Sequence, residues 1–157
     1  MRLVLDLQGY QSNGSRMRGI GRYSLSLALA MARRAGRHDL LVALNDCVPD
    51  VVEPLRGMFL QHLPARNVVA WSSLNGTDAL FPSSHWAIRS SELLFENAMA
   101  QFRPDYVHIS SLFEGWSGNV INSIGLTLPD YKSAVTLYDL IPFRKDVLVV
   151  RATRTGD

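Results

Sequence analysis

Short apolar runs of strand length alternate with helical segments along this 157-residue chain, and that alternation constrains the fold more than any other feature. The runs are Leu3-Val4-Leu5-Asp6-Leu7, Leu40-Leu41-Val42-Ala43-Leu44, Val68-Val69-Ala70-Trp71, Tyr106-Val107-His108-Ile109 and Ala134-Val135-Thr136-Leu137-Tyr138. Between the first two, residues 22 to 35 are rich in Ala, Leu and Met and contain no β-branched residue, which favours helix. Leu25, Ala28, Leu29 and Ala32 make an i, i+3, i+4, i+7 stripe there, and Gly36 suits the position just past the helix end. A short helix is expected near Val51 to Leu60. A longer one spans roughly Trp86 to Phe102, with Ile88, Phe95 and Phe102 seven apart, Leu94, Ala98 and Met99 beside them, and Arg103-Pro104 ending it. Ser72 to Ser84 reads as a loop. The expected fold class is α/β: a Rossmann-like αβα three-layer domain with a mainly parallel sheet.

Ligands of such sheets gather at the carboxyl ends of the strands. Four informative segments fall there: Asp6 through Tyr23, Asn45-Asp46, His108 through Gly115, and Tyr138 through Pro142. The first contains Arg18-Gly19-Ile20-Gly21-Arg22-Tyr23. Glycines near a helix N-terminus let an anion approach unpaired backbone N–H groups at the positive end of the helix dipole. Gly19, Gly21 and the neighbouring Arg22 are therefore candidates for holding a phosphorylated ligand. A Walker A loop is excluded, because Gly14 and Gly19 have the spacing but Ile20-Gly21 follow where Lys and Ser/Thr are required. A dinucleotide fingerprint is matched only as Gly19-x-Gly21-x-x-Ser24, with Asp46 as a ribose-binding acid, and a dozen residues separate it from the first strand. The long stretch from Gln8 to Arg18 could instead fold over a second substrate, or the glycines could serve close helix–strand packing.

His108 ends an apolar strand and runs into Ser110, Ser111 and Glu114, which makes His108 a catalytic candidate and the other three candidates for binding a ligand. Glu114 could act as a base or bind a sugar hydroxyl. Trp71, Trp86 and Trp116 could stack on sugar faces, with core packing the expectation for the first two. His38, His62, His85 and His108 lack metal-ligand spacing, and no metal or other cofactor is expected.

Composition narrows the classes. An apolar fraction of 47% and a charged fraction of 19% suit a folded globular domain. A net charge of +2 does not argue for nucleic acid. Of 16 basic side chains only Lys132 and Lys145 are lysine, a bias that suits planar contacts to phosphate or carboxylate, or reflects base composition. Cys47 is the single cysteine, so no internal disulfide can form, and a reducing, cytoplasmic setting is expected. No run approaches the ~18 apolar residues of a membrane span.

Taken in order, four segments resemble the N-terminal half of retaining glycosyltransferases of family 4, the GT-B "group 1" enzymes. They are Leu5-Asp6-Leu7-Gln8-Gly9, Arg18 through Ser24, Pro104 through His108 with Ser110 through Gly115, and Ala134 through Pro142. The likeness covers about residues 1 to 143. It implies a two-domain clamp: an acceptor-side Rossmann-like domain whose glycine loop approaches the diphosphate of a nucleotide-sugar donor, facing a second domain that holds most of the donor. The nearest look-alikes build bacterial surface polysaccharides such as O-antigen, often as mannosyltransferases. By resemblance, Tyr138 and Asp139 occupy the catalytic segment where relatives usually carry His before Asp. A phenol can still donate a hydrogen bond there but cannot become cationic near neutral pH.

The resemblance also implies that the donor domain is absent here. Residues 144–157 form an atypical tail unlike the expected continuation, so the chain alone is expected to be inactive. A lipid-linked acceptor would bring it to the inner face of the plasma membrane. Two other classes stay open: a saccharide-binding accessory module without catalysis, and a small NAD-linked oxidoreductase domain.

Overall fold

Alternate residues of the central strands face opposite sides of one sheet and supply two separate apolar layers. In the computed structural model, which describes residues 1–77, 85–112, 119–127 and 129–138, β1 (Arg2–Asp6) and β2 (Asp39–Asn45) lie side by side in parallel. Leu5, Leu40, Val42 and Leu44 pack with Ala28, Ala32, Leu55 and Phe59 on one face. Val4, Leu41 and Ala43 pack with Ile88, Phe95 and Met99 on the other. Both faces of the strands are buried, as a parallel sheet between helices requires.

The remaining strands are β3 (Val68–Trp71), β4 (Tyr106–Ile109) and β5 (Lys132–Val135). The order across the sheet is β3-β2-β1-β4-β5, with every pairing parallel. The described residues thus form the expected αβα three-layer, Rossmann-like domain. The strand order reverses between β1 and β4, where ligands of doubly wound sheets collect.

Helices α2 (Gly19–Arg33) and α3 (Val52–Phe59) cover the first face, and α4 (His85–Gln101) covers the second. A four-residue helix, α1 (Gln8–Gln11), follows β1 directly and was not foreseen. Four other differences from expectation are instructive. Helix α2 begins at Gly19 rather than Tyr23 and ends at Arg33, with Gly36 adopting a left-handed φ of +54° in the turn beyond it. Strand β5 runs from Lys132 to Val135 and ends before Tyr138; it is an edge strand with every residue exposed. Trp71 is buried and meets Phe95 edge-on at 5.1 Å, whereas Trp86 is 68% exposed and not a core residue. Leu94 likewise points outward, because its position on α4 lies beside the buried stripe.

Glu114, Trp116, Asp139 and the tail at 144–157 lie outside the described residues. No helix among the described residues is long and apolar enough to cross a membrane.

One buried carboxylate organises the segment leading into β5. Glu96 of α4 is fully buried and accepts hydrogen bonds from Ser123 Oγ at 2.6 Å, Leu126 N at 2.9 Å, and the N and Oγ1 of Thr127, both at 2.7 Å. Burial alone would raise its pKa, but these donors stabilise the anion and leave it below the ordinary carboxylate value. The same charge, added to burial, pushes the Tyr131 phenol up to about 12.

A lowered folded-state pKa means that Glu96 adds stability above its unfolded pKa, and the contribution is lost as pH falls through the folded value. Glu96→Gln should therefore lower stability at neutral pH by about 1–3 kcal/mol, since amide hydrogens would face donors. It should also flatten the acid limb of the stability–pH curve. Equal acid sensitivity of the variant and the parent in urea melts would contradict this.

Candidate functional site

Two glutamines of α1 build the floor of the carboxyl edge by imitating backbone. Gln11 pairs with residue 45 at two points: Nε2 donates to Asn45 O and Oε1 accepts from Asn45 N, both at 2.8 Å. Gln8 does the same with residue 121, donating to Ile121 O at 2.6 Å and accepting from Ile121 N at 2.9 Å. Gln8 also bonds Asp6 Oδ1 and Asn45 Nδ2, and Asn45 Nδ2 reaches Asn119 O at 2.8 Å. Asp6, Gln8, Gln11 and Asn45 are all fully buried, so these bonds fix the ends of β1 and β2 and the segment at 119–121 as one unit.

The residues from Ser12 to Arg18 are not an open flap. Successive turns close through Ser15 N to Ser12 O, Arg16 N to Ser12 O and Arg18 N to Ser15 O. Arg16 Nη2 adds bonds to Gln11 O and Asn13 Oδ1, each at 2.9 Å. This compact layer corrects the expectation of a long loop free to fold over a substrate.

It also separates the roles of the glycines. A Cβ on buried Gly21 would collide with Ser15 O and lie 2.7 Å from Arg16 O, both backbone atoms that cannot swing away. Gly21 is therefore required by packing. Gly19 is exposed at the first position of α2, and a Cβ there would meet the Tyr138 side chain, the phenol oxygen first and then Cζ at 3.2 Å. Arg18 at the N-cap has extended backbone and supplies no side-chain cap, so the first amides of α2 have no partner from that side chain.

Tyr138 is half exposed and tilts against Tyr23, with ring centroids 5.9 Å apart. Arg22 is exposed, and its Nη2 donates to Met17 O at 3.1 Å. The structure thus brings Gly19, Arg22, Tyr23 and Tyr138 together on one rim. Tyr23 was not singled out in the sequence. Its spacing of four from Gly19 on a helix was the available signal.

The other expected residues fall elsewhere. His108 hydrogen-bonds Thr136 Oγ1 through Nε2 at 3.0 Å and borders a cavity of only about 10 Å³ beneath α2. That volume is room for about one water, not a sugar ring. Burial lowers its pKa, which favours a neutral imidazole and removes stability as pH falls below 6.5.

Ser110 and Ser111 are buried. Ser110 Oγ accepts from Gly9 N at 3.2 Å, Ser110 O accepts from Ser24 Oγ at 3.3 Å, and Ser111 O accepts from Asn122 Nδ2 at 2.7 Å. These bonds hold α1 and α2 against β4 where the strand order reverses. A Cβ on Gly9 would lie 2.8 Å from Ser110 Oγ and 2.9 Å from Ser111 Cβ. The crevice that a dinucleotide pyrophosphate needs after β1 is filled by this contact, which disfavours the NAD reading. Asp46, its ribose candidate, instead accepts from Ser72 Oγ at 2.8 Å. Among the described residues no group of three or more His, Cys, Asp or Glu side chains could hold a metal ion.

The two glycines should respond oppositely to alanine. Gly21→Ala forces backbone apart and is expected to cost about 1–3 kcal/mol, the range for overpacking. Gly19→Ala displaces only the far end of Tyr138, so thermal stability should change little and the Tyr23–Tyr138 contact should loosen. Comparable melting-temperature losses for both variants would refute this division.

No protein-family model matches the chain. It is similar to the serotype-specific mannosyltransferase WbdA of Escherichia coli, with 29% identity over 143 residues, or 90% of this chain and 17% of the relative. A second Escherichia coli WbdA sequence is 24% identical over 117 residues, covering 74% of this chain and 14% of the relative. The chain therefore spans about a sixth of the length of the curated relatives it matches. These similarities support a relationship between this chain and the glycosyltransferases.

Proposed function

We propose that this chain is the acceptor-side, N-terminal Rossmann-like domain of a GT-B retaining glycosyltransferase of family 4. In this reading the parent enzyme moves a hexose, mannose by analogy with WbdA, from a nucleotide-diphosphate sugar to a saccharide or lipid-linked acceptor in surface-polysaccharide synthesis. The observation that carries it is the rim at Gly19. A helix N-terminus without a side-chain cap, the exposed Gly19 that opens it, the exposed Arg22 one turn along and Tyr138 beside the glycine lie at the carboxyl edge of a parallel sheet. The similarity to a mannosyltransferase over 90% of the chain supports reading that rim as the approach to a donor diphosphate.

The roles follow from the chemistry of each group. The amides at Gly19 and Ile20 receive diphosphate oxygens, and the helix dipole adds to the attraction. Arg22 supplies a planar cation beside them. Tyr138 offers a phenol to the donor sugar, with Asp139 next in sequence. Gly21 shapes the helix entry by close packing. The hydroxyls of Ser110 and Ser111 support the scaffold, and His108 orients β5 through Thr136.

This rim alone is one wall of a cleft. A helix N-terminus contributes about 0.3–2 kcal/mol toward an anion, whereas micromolar affinity needs about 8 kcal/mol. Transfer further requires a closed site that aligns donor and acceptor and excludes water. A second, donor-binding domain is accordingly part of the proposal.

Titration of the 157-residue protein with GDP-mannose, GDP, UDP-glucose and NAD, followed by amide NMR, tests the reading. GDP and GDP-mannose should shift the Gly19 and Ile20 amides weakly and in a salt-sensitive way, with no transfer of sugar. Arg22→Ala should weaken that binding by about fivefold, the equivalent of ~1 kcal/mol for an exposed charge contact. Tight NAD binding, or sugar transfer by this chain alone, would overturn the proposal.

A further inference from the structure

The opposite, amino edge of the sheet holds a concavity that shares no residue with the α2 rim. Its volume is about 330 Å³, and it opens between the last turns of α2 and the starts of β1 and β2. Leu3 and Leu40 line it from the sheet, and Ala30, Met31 and Ala35 from the helix. The hollow is a consequence of side-chain size. At the carboxyl end the first apolar layer is closed by fully buried Leu7, Leu44 and Val120. At the amino end alanines face the strands, and Leu3, Met31 and Ala35 stay only partly buried. The volume falls within the ~300–1,000 Å³ typical of small-molecule pockets.

The charged groups at the hollow narrow the occupant. Arg34 and His38 also line it, and both are exposed. Neither joins an ion pair among the described residues, and no acidic side chain lines the hollow. Asp39, the acid next in sequence, is engaged by Arg2 Nε at 2.7 Å and Asn67 Nδ2 at 2.9 Å. The negative pole of α2 also lies here, but it amounts to about half a charge, which the full charges of Arg33 and Arg34 exceed. An apolar hollow with a free guanidinium beside it suits an apolar body carrying one acid group, and the planar fork of arginine matches a carboxylate.

The walls are held in place without a ligand. His38 N donates to Ala35 O at 2.9 Å across the turn in which Gly36 takes its left-handed φ, and Asp39 N donates to Met1 O at 3.1 Å. Binding therefore requires little reorganisation of the backbone around the hollow.

We propose that this hollow is a binding site for a small, water-soluble monocarboxylic acid of the medium-chain type. The hydrocarbon lies against Leu3, Met31 and Leu40, the carboxylate meets Arg34, and an imidazole N–H of His38 is the second donor. The proposal goes beyond the nucleotide-sugar reading and does not rest on it. Its ligand carries no sugar, nucleotide or diphosphate, and the 15 residues of α2 set the site about 22 Å from Gly19.

Calorimetric titration of the 157-residue protein at neutral pH with hexanoate, heptanoate, octanoate and octanamide, each below its micelle threshold, tests this. Affinity should rise about fourfold for each added CH₂ that is buried. Octanoate should bind about fivefold more tightly than the isosteric neutral octanamide, the scale of one exposed charge contact. Arg34→Ala should erase that preference and leave octanamide binding unchanged. In amide NMR, octanoate should shift Met31 and Ala35 and leave Gly19 in place.

Three outcomes would overturn the proposal. They are no octanoate binding below its micelle threshold, equal affinity of the parent for octanoate and octanamide, and an undiminished preference for octanoate in Arg34→Ala. Flotation of the protein with phosphatidylglycerol vesicles in the absence of octanoate binding would also overturn it, and would assign the same surface to a membrane. Failure of the α2 rim reading would instead appear at the Gly19 amide and leave octanoate binding intact.

Discussion

The carboxyl edge of this sheet depends on side-chain amides that stand in for backbone. Gln8 and Gln11 lie three residues apart on α1, so they share one helix face and reach two different chain segments. Each meets its partner residue with both its donor and its acceptor, as a neighbouring strand would. A buried amide left half paired would cost the domain stability, whereas a fully paired one specifies a single arrangement. The positions of α1, of the turns from Ser12 to Arg18 and of the loops after β2 and β3 all follow from that pairing.

This floor divides the edge into two surfaces of different chemistry. On one, Gly21 brings α2 down onto the turns at Ser15 and Arg16, which leaves Gly19 and Arg22 at the outer rim with Tyr23 and Tyr138. That surface is cationic and rich in backbone donors. On the other, Asn13, Cys47, Asp50 and Asn119 line a concavity of about 130 Å³, with Arg16 Nη2 held 2.9 Å from Asn13 Oδ1.

The fold was legible in the sequence because its signals are local. Five apolar runs of strand length and two helical stripes each follow from side-chain periodicity, which survives without knowledge of any partner. The edges of elements were less legible. Helix α2 starts four residues before Tyr23, since the glycines that suggested a loop are tolerated in a first turn where packing demands them. Helix α1 was invisible because four residues carry no period. Trp86 looked like a core residue by composition, yet its position on α4 turns it to solvent.

What the sequence determined by itself was the αβα layering and the region of the chain in which a phosphate-facing rim could form, because strand and helix periods and glycine placement are properties of neighbouring residues. Tertiary structure alone decided which glycine faces outward, which partners Ser110, Ser111 and His108 hydrogen-bond, and that Asn13, Cys47 and Asp50 line one concavity. Those outcomes depend on contacts between residues such as Gln8 and Ile121, 113 positions apart, and no local pattern encodes a distance of that kind.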